Sequence, residues 1–158
     1  MRKRLAGAAP YLLIAAGVLA LAAWWLLTRP RPSASECLER VVGEVAAGVE
    51  QHDLGAIMGA VSQSYRDPAG YDRREIWRQA VRYVASKHPT RVRITDFRAE
   101  AAGDLAVATM QVAVSARDEV TFDAELTVRF RREGFALWPR WRITSTEGWQ
   151  DALERYRE

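Results

Sequence analysis

The chain has 158 residues, with 23 Lys and Arg against 20 Asp and Glu, one cysteine and two histidines. Arg2, Lys3, Arg4, Arg29 and Arg31 precede Ser33 and no acidic residue does, so the remainder holds 18 basic and 20 acidic side chains, a net charge of −2. The basic surplus thus sits in the N-terminal flanks and excludes a basic nucleic-acid face, while lone Cys37 and the sparse His52 and His88 exclude an internal disulfide and a cysteine- or histidine-rich metal centre, so that neither metal nor cofactor is expected.

Leu5 to Leu27 is uncharged throughout. As a helix this run spans about 35 Å, enough for a hydrocarbon core of about 30 Å. It reads as a transmembrane anchor, with the basic tail and anchor occupying residues 1–28 and with Tyr11, Trp24 and Trp25 as membrane-interface rings. The other reading is a signal peptide cleaved near Ala20-Leu21-Ala22. Apolar residues continue past that point to Leu27, beyond a signal core of about 7 to 15 residues, which favours the anchor. Three basic side chains before the run against Arg29 and Arg31 after it place the N-terminus in the cytoplasm. The expected location is then the inner membrane, single-pass, with the C-terminal domain extracytoplasmic. Residues 29–32, Arg-Pro-Arg-Pro, form a stiff spacer, and residues 33–158 are long enough for one domain.

The domain opens with helical signals. Ser33 and Glu36 have capping-box spacing, and Leu38, Val41, Val42, Val45 and Val49 recur at helical intervals, which predicts a helix over about 35–51. Asp53 caps a shorter helix carrying Leu54, Ile57, Met58 and Val61. Asp67-Pro68-Ala69-Gly70 reads as a turn, and Asp72 with Glu75 starts a third helix that Pro89 stops.

After Pro89 the period becomes two. Val92 and Ile94 alternate with Arg91, Arg93 and Thr95, until Asp96-Phe97 breaks parity in the manner of a bulge. A strand over Leu105 to Ala116 has apolar groups on both faces, which calls for a second layer such as a partner or a second copy of the domain. In the next strand Phe122, Ala124, Leu126, Val128 and Phe130 face inward and Asp123, Glu125, Thr127, Arg129 and Arg131 outward. A last strand contains Leu137, Trp141 and Ile143 with Pro139 at an edge or bulge, and a short helix is expected over about 147–156. The expected class is α+β: a single transmembrane helix, then three helices packed on a four-stranded antiparallel meander, then a short C-terminal helix.

Three segments, EQHDLGAIMGAVSQSYRDPAG, VRITDFRAEAAGDLAVATMQV and LWPRWRITS, resemble the helical opening, first hairpin and closing strand of the nuclear transport factor 2 superfamily, which is SnoaL-like and cystatin-like. The resemblance covers nearly all of residues 33–158. It implies a cone-shaped roll in which a curved sheet wraps a long helix around a pocket, and it makes sheet-to-sheet homodimers an expected partnership. The superfamily includes isomerases, dehydratases, cyclases, transport adaptors and secretion components, so the fold alone assigns no activity.

No catalytic set stands out. Asp96 shares the parity of Val92 and Ile94 and is the candidate pocket acid or base; the favoured alternative is that it satisfies backbone groups at the bulge. Tyr65, Trp77, Tyr83, Met110 and Trp141 are pocket-lining candidates, with core packing or a wet hydroxyl as the alternative for each. His88, next to Pro89, reads as an exposed helix-end residue. Arg74, Arg78 and Arg82 repeat every four residues on the third helix and read as a solvated face or a docking surface for acidic groups. The expected function is a membrane-anchored binding or assembly module engaging the lipid bilayer through residues 5–27 and an envelope protein partner, with no nucleic acid. The alternative is a small-molecule-binding or SnoaL-like enzyme domain using Asp96.

Overall fold

The computed structural model describes residues 9–28, 32–116, 119–134 and 139–149. The chain divides into two compact units, Met1–Pro32 and Ser33–Glu158. The first unit contains α1 (Ala9–Thr28). Among the described residues no helix is long and apolar enough to cross a membrane. This overturns the expected transmembrane helix, and with it the inner-membrane, single-pass placement. Trp24 and Trp25, read from the sequence as interface rings, have exposed side chains on α1, and the Tyr11 side chain lies outside those described.

In the second unit Ser33 initiates α2 (Ala34–Gln51) through a complete capping box. Ser33 Oγ accepts from Glu36 N at 3.1 Å, and Glu36 Oε2 accepts from Ser33 N at 2.8 Å, so two otherwise orphaned donors are satisfied. His52, left-handed at φ 56°, ends the helix. Asp53 Oδ1 then caps α3 (Leu54–Gly59) at Gly55 N and Ala56 N. The two helices meet at Gly48, where a Cβ would lie 2.9 Å from Ala56 Cβ, so a larger residue would push α3 away. Asp72 caps α4 (Arg73–Ser86), which ends at left-handed Lys87, two residues before Pro89.

β1 (Thr90–Ala102), β2 (Leu105–Ala116), β3 (Glu119–Glu133) and β4 (Arg140–Glu147) form one antiparallel sheet in chain order. Pairings such as Val112 with Ala124 and Ala108 with Val128 put the even-numbered residues of β2 and β3 on one face, as the period-two pattern requires. α2 covers that face: Leu38 is fully buried against a cluster containing Ala106, Ala108, Val128 and Phe130. Burying a side chain such as Leu38 or Phe130 contributes about 1.5–3 kcal/mol. Ile57, Met58, Val61, Tyr65 and Ala80 form a second cluster between α3, α4 and their connection, meeting the sheet through Ile143.

The β4 edge is covered by backbone, and one side-chain bond reaches the β1 edge. Val92 N donates to Glu50 Oε1 at 2.8 Å on the β1 side. On the β4 side the segment after α3 runs parallel to the strand: Ile143 N donates to Ala60 O, Ser62 N to Ile143 O and Arg66 N to Thr144 O, all at 2.8–3.0 Å. The backbone bonds cap part of the β4 edge, which would otherwise be open. The expected helix over 147–156 cannot start at Glu147, the last residue of β4, and residues 150–158 lie outside those described. Leu137 also lies outside them, and the last strand begins only after Pro139.

Candidate functional site

Valines repeating along α2 and the inward residues of the sheet do not meet everywhere. Between them is a cleft of about 350 Å³. Val42, Val45, Ala46 and Val49 form its helical wall; Val92 and Ile94 of β1, Met110 and Val112 of β2, and Phe122, Leu126 and Val128 of β3 form the opposite wall. That size falls within the range of about 300–1,000 Å³ typical of small-molecule sites.

The only polar side chain lining this cleft among the described residues is Thr146. Simple alternation from Trp141 and Ile143 would place Ser145 inward. Instead, the register shifts at Thr144: Phe130 pairs with Ile143, Arg129 with Ser145 and Val128 with Thr146. Thr144 Oγ1 donates to Arg129 O at 3.1 Å across this bulge. One extra residue therefore exchanges Ser145 for Thr146 on the inner face.

Thr146 meets a buried polar cluster carried by the connection from α3 to α4. Tyr65 and Asp67 are 5% and 4% exposed, and the Tyr65 hydroxyl interacts with both Thr146 and the Asp67 carboxylate. Burial pushes the Tyr65 phenol above the ordinary tyrosine range; a hydrogen bond with Thr146 opposes the rise, and the negative charge of Asp67 adds to it. Tyr65 is therefore a neutral hydrogen-bond donor at neutral pH. Asp67 Oδ1 accepts from Tyr71 N at 2.8 Å, and Asp67 N donates to Tyr71 O. The other oxygen, Oδ2, is buried and forms no hydrogen bond among the described residues. An unsatisfied buried acceptor costs about 1–3 kcal/mol, so it is an unusual feature to retain.

The residues singled out from the sequence are dispersed. Met110 lines the apolar cleft, opposite the β1 bulge. Asp96 is exposed with φ 54°, in the two-residue bulge between Thr95 and Arg98, and it borders a second, polar hollow with Arg98, Gln111 and Glu125, which meets the apolar cleft only at Met110. Phe97 takes the inward place and packs on the core. Tyr83 stacks on His52 with centroids 5.1 Å apart and donates its hydroxyl to Val49 O at 2.9 Å, away from the cleft interior. Trp77 is 47% exposed and shares a polar cleft with Tyr65. Trp141 is buried beneath the Arg132 guanidinium and borders a third cleft with Cys37 and Arg140. His88 is exposed. Sequence parity missed Thr146 because no residue type announces the bulge. It also missed Asp67, because Asp-Pro-Ala-Gly satisfies a turn pattern whether or not its carboxylate is buried. Among the described residues no three His, Cys, Asp or Glu side chains group to hold a metal ion.

No protein-family model matches the chain, and no curated protein sequence does. Solved structures do match. Aln2 from a Streptomyces species superposes with a TM-score of 0.65 at 12% identity, over 82% of this chain and 98% of that one. A putative dehydratase from the NTF2-like family of Streptomyces avermitilis gives 0.60 at 15% identity, over 71% and 91%. A protein of unknown function with a cystatin-like fold from Nostoc punctiforme gives 0.59 at 9%, over 75% and 93%. The second unit therefore has the NTF2-like, cystatin-like α+β fold, and at these identities the likeness extends to fold alone.

Proposed function

We propose that residues 33–158 form a small-molecule-binding domain whose ligand places an apolar body between α2 and the sheet and one polar group at Thr146. The observation that carries this reading is the asymmetry of the cleft: thirteen apolar residues line it, with one hydroxyl at the border of a buried Tyr-Asp cluster. A neutral ligand with a single carbonyl or hydroxyl matches that distribution, because apolar burial supplies affinity and one placed polar contact supplies orientation. The likeness in fold to a putative dehydratase supports a pocket-bearing reading without supplying its substrate. The assembly-module alternative drew its support from the membrane anchor and loses that support with it.

The test is a fluorescence titration of the 158-residue protein with the neutral dye Nile red. Dye emission is expected to rise saturably with wild type. It is expected to be lost in Ala46→Phe, which puts a ring into the cleft, and retained in Val107→Phe, which adds similar bulk on the exposed face of β2. Equal enhancement in both variants would place the dye elsewhere and overturn the proposal.

A second reading, proton transfer on the bound ligand, is favoured by the unpartnered Oδ2 of Asp67 beside the neutral Tyr65 hydroxyl. In this reading Tyr65 would polarise a ligand carbonyl and Asp67 would accept a proton, both acting from behind Thr146, since neither lines the apolar cleft itself. This reading assigns the acid-base role to Asp67 rather than to Asp96, whose exposed bulge position borders a different hollow.

A further inference from the structure

A second cleft, of about 620 Å³, lies between the segment after α3 and the first turn of α4. Arg66, Arg73 and Arg74 line it, together with Gln63, Ser64 and Trp77. Among the described residues the only acid on its walls is Asp72, whose Oδ1 is committed to Arg74 N at 2.8 Å and Glu75 N at 2.9 Å as the α4 cap. That commitment also removes the first free amides of the helix, so the cationic character of the cleft comes from its side chains. Among the described residues none of the three arginines pairs with a carboxylate; the ion pairs there involve Arg78, Arg129, Arg132 and Arg142. Arg73 is held in place by its own fold, with Nε and Nη2 donating to Val61 O and Met58 O at 3.5 Å each. Three guanidinium groups lining one cleft with Asp72 as the single described counter-charge leave excess positive charge, which an anion would relieve.

Trp77 adds a second element of recognition. Tryptophan is highly buried on average, yet this one is 47% exposed and lines the same cleft. It lies four residues after Arg73 and three after Arg74, so helical spacing puts the indole beside both guanidinium groups. Three positive charges against the one of Asp72 leave a surplus of two, which matches a phosphate monoester carrying about −1.5 to −2 at neutral pH. A monocarboxylate would leave the surplus half-neutralised, and an uncharged ligand would leave it untouched.

We propose that this cleft binds a phosphate monoester attached to a planar ring, in the manner of a nucleoside monophosphate, with Arg66 and Arg74 on the phosphate and the ring against Trp77. The site shares Tyr65 with the cluster bordering the apolar cleft, but its arginines and Trp77 do not line that cleft, so the proposal stands whether or not the apolar cleft takes a ligand.

Calorimetric titration of the 158-residue protein at low salt with adenosine 5′-monophosphate, inorganic phosphate and adenosine tests the proposal. The monophosphate is expected to bind more tightly than either fragment and to weaken with added salt. The double variant Arg66→Gln/Arg74→Gln is expected to weaken it about tenfold or more, the loss of charged hydrogen bonds. Trp77→Gln is expected to weaken it about threefold to tenfold. Arg91→Gln/Arg93→Gln, an equal charge change on exposed positions of β1, is expected to leave it unchanged. Four results each overturn the proposal: no heat of binding at millimolar monophosphate; equal weakening in the two double variants; adenosine binding as tightly as the monophosphate; or inorganic phosphate doing so.

Discussion

Tyr65→Phe removes one oxygen and leaves the aromatic ring buried, so it isolates what the hydroxyl does in the cluster bordering the apolar cleft. The ring is 5% exposed, and its apolar burial is unchanged in the variant. What is lost is the one polar atom of the side chain, a buried hydroxyl whose surroundings are set by Thr146 and the Asp67 carboxylate. A net hydrogen bond contributes about 0.5–1.5 kcal/mol, and leaving partners unsatisfied adds to the loss, which puts the destabilisation at about 1–2 kcal/mol. With a urea m-value of about 1–3 kcal/mol per molar, the unfolding midpoint should fall by roughly 0.3–2 M. The variant should also change the alkaline limb of stability. Because burial raises the folded-state pKa of Tyr65, the folded protein holds this proton where the unfolded chain has released it. Its contribution is fully present below about pH 10 and is lost as pH rises from there through the folded value. Urea melts at pH 7 and across pH 9–11 measure both effects. A variant as stable as wild type at pH 7, with the same alkaline slope, would refute the picture of a hydroxyl engaged by Thr146 and Asp67.

Gly148→Ala should destabilise the domain by about 2–4 kcal/mol, because Gly148 has φ 96° and an added Cβ would lie 2.2 Å from the Glu125 carbonyl oxygen; an unchanged thermal midpoint would contradict that close approach. Asp96→Asn, at an exposed left-handed bulge position that asparagine accepts, should change stability by less than about 0.5 kcal/mol and leave Nile red binding unaltered, and a large loss of binding would restore Asp96 to the site. The Asp72 carboxyl is held below the usual aspartate range, first by Glu75 N–H, then by Arg74 N–H and the charges of Arg74 and Arg78. Its stabilisation of α4 is therefore present above about pH 4 and lost as pH falls through the lowered value, and Asp72→Asn should flatten the acid limb of a urea-midpoint profile between pH 5 and 2.

Local chemistry made most of the domain legible in the sequence. Ser33 with Glu36, Asp53 and Asp72 announce helix starts through their own side chains, and alternation from Phe122 to Phe130 fixes which face of β3 is buried. The site was harder to read because it depends on exceptions to those periods. At Asp96-Phe97 a change of parity is visible in the residues themselves. At Thr144 none is, and so Thr146 reaches the cleft without a sequence signal. Burial of Asp67 depends on where β4 lies, about 75 residues further along the chain. The N-terminal run misled for a different reason: lack of charge over Leu5 to Leu27 is a property of composition, and no described helix has the continuous apolar length to span a membrane.

The proposed ligand site lies between α2 and the inner face of the sheet. Intermolecular nuclear Overhauser effects between Nile red and protein methyl groups test it most directly. Contacts are predicted to Val45, Val49, Ile94, Met110 and Val112, which line the cleft from both sides. Contacts confined to Leu105, Val107 and Val120, exposed apolar residues that do not line it, would contradict the account.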